Sequence, residues 1–261
     1  MILIKTPEEI EIMAEGGKIL AKIMKELEKK VRPGITTKEL DRLAESLILK
    51  SGGKCSFKGY EGFPACLCTS INEEIVHAIP SDRILKEGDI ISLDLGIQWK
   101  GFHTDMAVTL PVGKINLQTQ KLIEVTKKAL EIGIEEVKPG NKIGDISRAI
   151  QKYVESQGFN VVRELCGHGI GREIHEDPQI LNSVSFDKEM VDRVKFQDDG
   201  RIKIQEGMVL CLEPMVTVGD WRIKKSEDGH GWKTKDNSLS AHFEHTITVT
   251  KNGCQILTER E

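Results

Sequence analysis

The sequence carries the same series of short motifs in both of its halves, and in the same order. The pairs are VRPG at 31–34 with VKPG at 137–140, VHAIP at 76–80 with IHEDP at 174–178, EGDIISLD at 87–94 with EGMVLCLE at 206–213, and DMAVT at 105–109 with EHTIT at 244–248. Four ordered matches are too many for chance similarity between short strings. They predict a duplicated fold closed about a pseudo-twofold axis, which brings the acids of both halves to one central site. Such a site suits a pair of metal ions.

Each half opens with two amphipathic helices and continues with strands. Thr6 and Thr36 are predicted N-caps, and each is followed three residues later by a glutamate, as in a capping box. Apolar residues recur at helical spacing behind both caps, and again in the second half between residues 122 and 154. This order of helix pairs and apolar strands, with no linker between the halves, predicts a mixed α/β fold.

A predicted β-hairpin carries the first pair of acids. Residues 90–95 and 107–110 are rich in apolar side chains and flank a turn at 99–101. A simple hairpin centred on that turn places Asp94 directly opposite Asp105, with Cβ atoms ~5 Å apart. Two carboxylates that close, in an apolar strand pair, repel each other and lose hydration, and a bound cation removes both problems.

Five side chains emerge as candidate metal ligands. They are Asp94, Asp105, His168, Glu213 and Glu244. Each has a structural alternative, because an acid at a strand end can cap a turn or pair with a lysine, and a histidine between glycines can belong to a tight turn. Their repeat-related places in apolar strands nevertheless predict one shared site.

The charge of this set indicates which metals it holds. Four carboxylates and a neutral imidazole balance two divalent ions, and the absence of sulfur favours Mn, Fe, Co or Zn over a structural zinc site. Two such ions, ~3.5–4 Å apart, generate a nucleophilic hydroxide near neutral pH and polarise a carbonyl group. The predicted chemistry is therefore metal-assisted hydrolysis.

Composition excludes several classes of function. The chain of 261 residues has a net charge of −4, so it lacks the basic footprint of a nucleic-acid-binding protein. No apolar run approaches the ~20 residues of a membrane helix, and the N-terminus lacks the charged start and apolar core of a signal peptide. We therefore expect a cytoplasmic protein. The six cysteines, at 55, 66, 68, 166, 211 and 254, are expected to be free thiols of a reducing compartment.

The motifs resemble those of the type I methionine aminopeptidases in their short bacterial form. The stretches that carry the resemblance, from about Thr6 to about Val249, are TTKELD at 36–41, GY at 59–60, SINE at 70–73, DLG at 94–96, CGHGIGR at 166–172, HEDP at 175–178, EPM at 213–215 and SAHFEHT at 240–246. The resemblance implies the pita-bread fold, of class α/β (α+β), with two pseudo-symmetric halves and a central curved antiparallel sheet covered by helices. It also implies one catalytic domain over 1–261, with repeats at about 6–112 and 113–250. The charged stretch at 181–201, longer than in compact bacterial relatives, is expected to be a surface insertion.

The resemblance assigns roles to the five candidate ligands. Asp105 and Glu244 would bridge two divalent ions. Asp94 would complete the coordination of one ion, and His168 with Glu213 that of the other. Glu213 would also accept the proton of the attacking water.

The resemblance further implies contacts with the substrate and with a monovalent cation. His77 and His175, which are paired by the repeat, match histidines that contact the substrate, whereas position alone leaves a purely structural hydrogen-bonding role open for both. Asn72 and Ser240 resemble positions that hold a monovalent cation in some relatives. The pocket for the methionine side chain would comprise Tyr60, Phe63, Cys68 and Trp232.

The implied activity is removal of the initiator methionine from nascent polypeptides whose second residue is small, by attack of a metal-bridging hydroxide. The expected enzyme is a monomer that acts on nascent N-termini, and a transient contact with the ribosome stays open. One alternative is a proline-specific peptidase of the same fold, although such enzymes usually carry a large extra N-terminal domain that we do not expect here. The other is a non-catalytic protein that binds peptides or ribosomes. His242 departs from the family, because many bacterial members have glutamine at this position.

Overall fold

The computed structural model describes residues 2–184 and 199–260. Within them, four α-helices form two pairs, one in each half of the chain. They are α1 (Pro7–Glu28), α2 (Thr37–Ser51), α3 (Leu117–Glu135) and α4 (Ile143–Ser156). Thr6 and Thr36 cap α1 and α2 as predicted. Each threonine hydroxyl accepts a hydrogen bond from the N–H three residues on, and the glutamate there accepts one from the backbone N–H of the threonine.

Fifteen strands lie between and after these helices in the described part of the chain. They are β1 (Lys54–Cys55), β2 (Leu67–Ile71), β3 (Glu74–Val76), β4 (Ile90–Trp99), β5 (Phe102–Pro111), β6 (Asn160–Val161), β7 (Cys166–Gly169), β8 (Glu176–Leu181), β9 (Val209–Leu212), β10 (Met215–Thr217), β11 (Ile223–Lys225), β12 (Trp232–Thr234), β13 (Ser240–His242), β14 (Glu244–Thr250) and β15 (Gly253–Ile256). The largest sheet has the order β1-β4-β5-β14-β9-β7-β8, with β2 also paired to β4 and β15 to β14. Two three-stranded sheets, β13-β10-β6 and β11-β12-β3, stand beside it.

The two halves of the chain meet at the centre of the large sheet. β4 and β5 of the first half form a long hairpin, β9 and β7 belong to the second half, and β14 joins the halves by pairing with both β5 and β9. All these pairings are antiparallel. The sheet is curved, and the predicted fold class is confirmed.

The helices cover one face of this sheet and leave the other face to polar groups. α1 packs on β4 and β5, while α3 and α4 pack on each other and on strands of the second half. Leu93 and Leu95 belong to the apolar core, whereas Asp94 between them points to the opposite face, as the two-residue period of a strand requires. In the described ranges no helix is both long enough and apolar enough to cross a lipid bilayer.

The β4–β5 hairpin has a different register from the predicted one. Asp94 pairs with Ala107, and Asp105 pairs with Gly96, so the two acids are diagonal neighbours rather than directly opposite. The turn consists of Lys100 and Gly101, which both have positive φ angles of 48° and 88°. Such a two-residue turn matches the twist of the strands, and its position moves the register by two residues. The prediction of direct opposition is therefore wrong, but both acids still lie on the same face.

Two of the six cysteines are bonded, so the prediction of six free thiols is wrong. Cys55 and Cys66 form a disulfide, whereas Cys68, Cys166, Cys211 and Cys254 are free. The reason is tertiary, because β1 and β2 both pair with β4 and bring these two Cα atoms within 5.2 Å.

The predicted insertion at 181–201 falls mainly on 185–198, which lie outside the described residues. At its edges, β8 ends at Leu181 and a single 3₁₀ turn occupies Asp199–Arg201.

Candidate metal centre and active site

Two neighbouring rows of side chains cross the face of the large sheet that lies opposite the helices. In the first row Asp94 pairs with Ala107, and Ala107 pairs with Glu244 on the next strand. Residues that pair across strands share a face, so the two acids point the same way from either side of a small alanine. Glu213 directly follows β9 and extends this row on the far side of Glu244.

The second row lies two residue pairs further along the strands, on the same face. Asp105 is joined to Thr246, whose hydroxyl accepts a hydrogen bond from the Asp105 N–H at 2.8 Å and donates one to the Asp105 carbonyl at 2.7 Å. Thr246 pairs with Cys211, and Cys211 pairs with His168. The structure thus brings the five predicted ligands together in two adjacent rows.

The carboxylates of this site are buried and incompletely hydrogen-bonded. Asp94 is 6%, Asp105 4% and Glu244 2% exposed. One oxygen of each has no hydrogen-bond partner among the described residues. One oxygen from each of the three carboxylates lies within 4.8 Å of the others. Buried oxygens without partners are costly, and divalent cations bind such clusters, so the donor set fits a metal centre.

Burial also raises the pKa values of these acids. Loss of hydration, followed by the charge of Asp105, raises the pKa values of Asp94, Glu213 and Glu244 well above their ordinary range. The pKa of Asp105 rises to about 7 through burial, although hydrogen bonds from Met106 and Asp94 oppose the change. Positive charge between these groups would favour their ionised forms and reverse the shift.

His168 presents one ring nitrogen to the same place. Its Nδ1 lies 2.9 Å from the carbonyl oxygen of Gly169, which can only accept, so Nδ1 carries the proton. Nε2 is then an acceptor, 3.6 Å from Oε1 of Glu213. Burial and the neighbouring His175 lower the pKa of His168 to about 3, so the ring is neutral. A neutral imidazole oriented by a backbone carbonyl is a common metal ligand.

The five predicted ligands line a cavity of about 130 Å³, and His77 and His175 line it beside them. Nδ1 of His175 lies 3.0 Å from the hydroxyl of Tyr60, and its ring meets that of His168 edge to face at 4.5 Å between centroids. The two repeat-paired histidines are therefore next to the donors but outside the donor cluster.

Comparison with known proteins identifies the family. The model of metallopeptidase family M24 matches residues 11–251. The chain belongs to this family. It is 48% identical over 258 residues to methionine aminopeptidase 1 of Bacillus subtilis, with 99% of both chains covered. It also resembles the crystal structure of the methionine aminopeptidase of Thermotoga maritima, with a TM-score of 0.92, 44% identity, and coverage of 99% of this chain and 100% of that one.

A prolidase from Pyrococcus furiosus shares the fold of this M24 metallopeptidase at lower similarity. Its TM-score is 0.76 at 24% identity, and the match covers 99% of this chain but only 66% of the prolidase. The predicted resemblance to the methionine aminopeptidases is thus confirmed over the full length of the chain.

The cavity of this metallopeptidase contains three of the four residues predicted for the methionine pocket. Tyr60, Phe63 and Cys68 line it, but Trp232 does not. Trp232 lies on β12, where it pairs with Val76 and packs in a separate apolar cluster. Five further wall residues, which the sequence analysis did not select, are Phe57, Glu61, Ile174, Lys225 and His230.

The two residues predicted to hold a monovalent cation are in direct contact. The Ser240 N–H donates to the carbonyl oxygen of Asn72 at 2.9 Å, and the Ser240 hydroxyl donates to the carbonyl oxygen of Glu74 at 3.1 Å. Asn72 itself has a positive φ of 59°. Two backbone carbonyls and a hydroxyl therefore converge here.

Two residues near the metal donors were absent from the predicted site. Cys211 occupies the second row, and His242 lies 3.6 Å from Glu213. A signal for Cys211 existed in the sequence, because it stands two residues before Glu213 and such residues share a strand face.

Proposed function

We propose that this metallopeptidase removes methionine from the N-termini of polypeptides by hydrolysis at a pair of divalent metal ions. The observation that carries the proposal is the pair of adjacent rows, which places five donors from both halves around one spot and leaves three buried carboxylate oxygens without partners. The full-length relatives named methionine aminopeptidase support the choice of substrate.

In this proposal Asp105 and Glu244 would be shared by two divalent ions, Asp94 would complete the ligands of one ion, and His168 with Glu213 those of the other. The central position of Glu244, between the first-row neighbours Ala107 and Glu213, supports a bridging role. The donor set of carboxylates and one imidazole suits Co, Mn, Fe or Zn. When bound, such ions lower the pKa of a water molecule and polarise the scissile carbonyl.

Glu213 accepts the proton of the attacking water. Its carboxylate is nearly buried, and its pKa is raised first by burial and then by the charge of Asp105. A raised pKa brings a carboxylate closer to neutral pH, where it can both accept and release a proton during turnover.

His77 and His175 bind the substrate carbonyl and the oxyanion that forms from it. The Tyr60 hydroxyl lies 3.0 Å from Nδ1 of His175, and donation from this hydroxyl would place the ring proton on Nε2, where it can donate to the substrate. A donor aimed at developing negative charge stabilises the transition state more than the ground state.

The methionine side chain packs in the cavity against Tyr60, Phe63 and Cys68. Aromatic rings and a thiol suit an unbranched thioether. The ring of Phe63 meets those of Phe57 and His230 edge to face, which closes this end of the cavity. Limited space beyond the scissile bond would favour a small second residue.

The setting of the enzyme follows from this substrate. We assign it to the cytoplasm as a monomer that acts on nascent N-termini, with a transient ribosome contact.

The chain is proposed to be one domain over 1–261, with repeats at about 6–112 and 113–250 and an insertion at 181–201. Asn72 and Ser240 are proposed to hold a monovalent cation.

The test is methionine release from three peptides by metal-stripped protein titrated with Mn²⁺ or Co²⁺. Metal-dependent cleavage of Met-Ala-Ser, but not of Met-Leu-Ser or Ala-Pro-Ser, is the expected result. Cleavage of Ala-Pro-Ser would instead indicate a proline-specific peptidase. Metal binding without cleavage of any peptide would indicate a non-catalytic binding protein.

A further inference from the structure

Cys211 lies inside the cluster of metal donors. It is 0% exposed and stands between Thr246 and His168 in the second row. One ring nitrogen of His168, Sγ of Cys211 and one carboxylate oxygen of Glu244 all lie within 4.8 Å of one another. Oε1 of Glu244 is buried and has no hydrogen-bond partner among the described residues. The thiol therefore lies beside a carboxylate oxygen without a hydrogen-bond partner and a neutral imidazole.

The hydrogen bonds around Cys211 leave its sulfur lone pairs unused. Sγ lies 3.4 Å from the hydroxyl of Thr246, but that hydroxyl already donates its proton to the carbonyl of Asp105. The thiol must therefore be the donor in this contact. Its other polar neighbour is the carboxylate of Glu244, which in its ionised form has no proton to donate. Neither the Thr246 hydroxyl nor the ionised carboxylate therefore donates to the sulfur.

We propose that Cys211 is an additional metal ligand, which binds thiophilic divalent ions as a thiolate beside His168 and Glu244. This inference rests on the proposed metal centre and adds a sulfur donor to it. On binding, the S–H bond breaks, a sulfur–metal bond forms, and the proton is released to the buffer. Thiolate ligands favour Zn²⁺, Co²⁺ and Cd²⁺, whereas Mn²⁺ and Mg²⁺ prefer oxygen. Cys211 thereby makes the centre selective among metals.

A second buried thiol in the same cavity provides a matched control. Cys68 pairs with Asp94 across β2 and β4, and it lines the same cavity. It is free and buried, as Cys211 is. In the described part of the chain, however, it belongs to neither group of donors that lie close enough to hold a metal.

The test uses the charge-transfer absorption that a thiolate gives when it binds Co²⁺ or Cd²⁺. Metal-free wild-type protein, Cys211→Ser and Cys68→Ser are each titrated, and the near-ultraviolet spectrum is recorded with the metal content of each sample. We expect the band in the wild type and in Cys68→Ser, and its loss in Cys211→Ser. Persistence of the band in Cys211→Ser, its loss in Cys68→Ser, or its absence from wild-type protein that holds cobalt would each overturn the proposal.

Metal affinities provide the second readout. Cys211→Ser should bind Zn²⁺ and Cd²⁺ roughly 10- to 100-fold more weakly, as is typical when a contact to the metal centre is lost. Its affinity for Mn²⁺ should change less than about twofold, since Mn²⁺ prefers oxygen ligands. Equal effects on Zn²⁺ and Mn²⁺ would contradict a sulfur–metal bond. Because serine could disturb this buried strand, Cys211→Thr is measured in parallel, and both variants are compared with the wild type by circular dichroism.

The outcomes separate this inference from the proposed function. One outcome is that wild-type protein binds Mn²⁺ and cleaves Met-Ala-Ser but has the same Zn²⁺ affinity as both Cys211 variants. This outcome would overturn the sulfur ligand and leave the proposed aminopeptidase function standing. Wild-type protein that binds no divalent metal would overturn both.

Discussion

Nε2 of His242 lies 3.6 Å from Oε2 of Glu213, while Nε2 of His168 lies 3.6 Å from the other carboxylate oxygen. The His242 ring is 1% exposed, and neither of its nitrogens has a hydrogen-bond partner in the described residues. A neutral imidazole carries one N–H, and Glu213 is a nearby acceptor for it. We therefore predict that His242, which faces this carboxylate without bonding it here, forms a hydrogen bond that orients Glu213 in the metal-loaded enzyme.

Replacement of His242 tests this orienting role. His242→Leu removes the donor and should lower kcat for Met-Ala-Ser by about 10-fold or more, the usual effect of losing a hydrogen bond to a charged group. His242→Gln keeps an N–H at similar reach and should stay within about threefold of the wild type. Steady-state kinetics at saturating metal give kcat and KM separately. Equal losses in both variants, or a change confined to KM, would contradict the role.

The proposed bridging acids should be essential to turnover. Asp105→Asn and Glu244→Gln each remove a negative charge from the position between the two ions, and we expect kcat/KM to fall by at least about 1000-fold. The bound metal should fall below two ions per chain in equilibrium dialysis. Asp82→Asn, at an exposed acid 87% accessible at its side chain, serves as the control for charge alone. Wild-type turnover by either site variant would argue against the two-metal assignment.

The stability of the metal-free protein should depend on the ionisation of Asp105. The pKa of this group is about 7 when folded, against an ordinary value of 3.8. Between those values the folded chain keeps a proton that the unfolded chain has lost, so the contribution of Asp105 to the free energy of unfolding falls as pH rises. The full effect is roughly 4 kcal/mol at most.

The measurement is urea unfolding of metal-free wild type and Asp105→Asn at pH 4.5 and pH 7.5. The buried His168, with a pKa of about 3, has the opposite effect and stabilises the folded chain as pH rises, so the two proteins are compared at each pH. We expect the free energy of unfolding of Asp105→Asn, relative to that of the wild type, to be higher at pH 7.5 than at pH 4.5. A constant difference between the two proteins would show that Asp105 does not carry the predicted shift.

The contact between Tyr60 and His175 should matter for catalysis rather than for metal binding. Tyr60→Phe leaves the ring in the cavity wall but removes the hydroxyl that lies 3.0 Å from Nδ1. The His175 proton is then free to move to Nδ1, and we expect kcat to fall roughly 10-fold with little change in KM. His175→Ala should lower kcat further while metal affinity, measured by dialysis, stays unchanged. Loss of metal affinity in His175→Ala would place that residue among the ligands.

The Cys55–Cys66 disulfide should stabilise the cavity wall. It closes a loop that holds Tyr60 and Phe63, and closure of a loop of this size contributes about 3 kcal/mol or less. The double variant Cys55→Ser, Cys66→Ser should therefore unfold at lower urea concentration and show a raised KM for Met-Ala-Ser. Cys254→Ser, at a free cysteine outside the cavity, is the control. An unchanged KM would mean that the loop keeps its shape without the bond.

The helix starts and the shared sheet face of the candidate ligands were predictable because their signals are local. Thr6 and Thr36 define capping boxes within four residues of sequence, and the two-residue period of a strand places Asp94 on the face opposite Leu93. The hairpin register was not predictable from the same period. It depends on the turn, and Lys100-Gly101 lacks the Asn-Gly signal of such turns. A shift of two residues keeps each side chain on the same face of the sheet, so Asp94 and Asp105 still point the same way.

Features that depend on contacts between distant segments were missed. The Cys55–Cys66 bond requires β1 and β2 to pair with the same strand, and Trp232 pairs with Val76 and packs in a separate apolar cluster. Cys211 was missed for another reason, because the donor set was taken as free of sulfur although the residue stands on the same strand face as Glu213. The repeat matches Cys211 with Ser92, a strand position whose hydroxyl bonds Thr109 in the first half.

The order of the strands also sets the moment at which a newly made copy of this chain can begin to work. A ribosome delivers the N-terminal half first, so the hairpin with Asp94 and Asp105 is complete long before β14 exists. Those acids have no neighbouring strand beside β5 until β14 brings Glu244. A stalled or truncated copy that ends before β14 holds the first pair of acids without the strand that joins the two halves. We expect such a fragment to be inert, because the site needs residues of both halves.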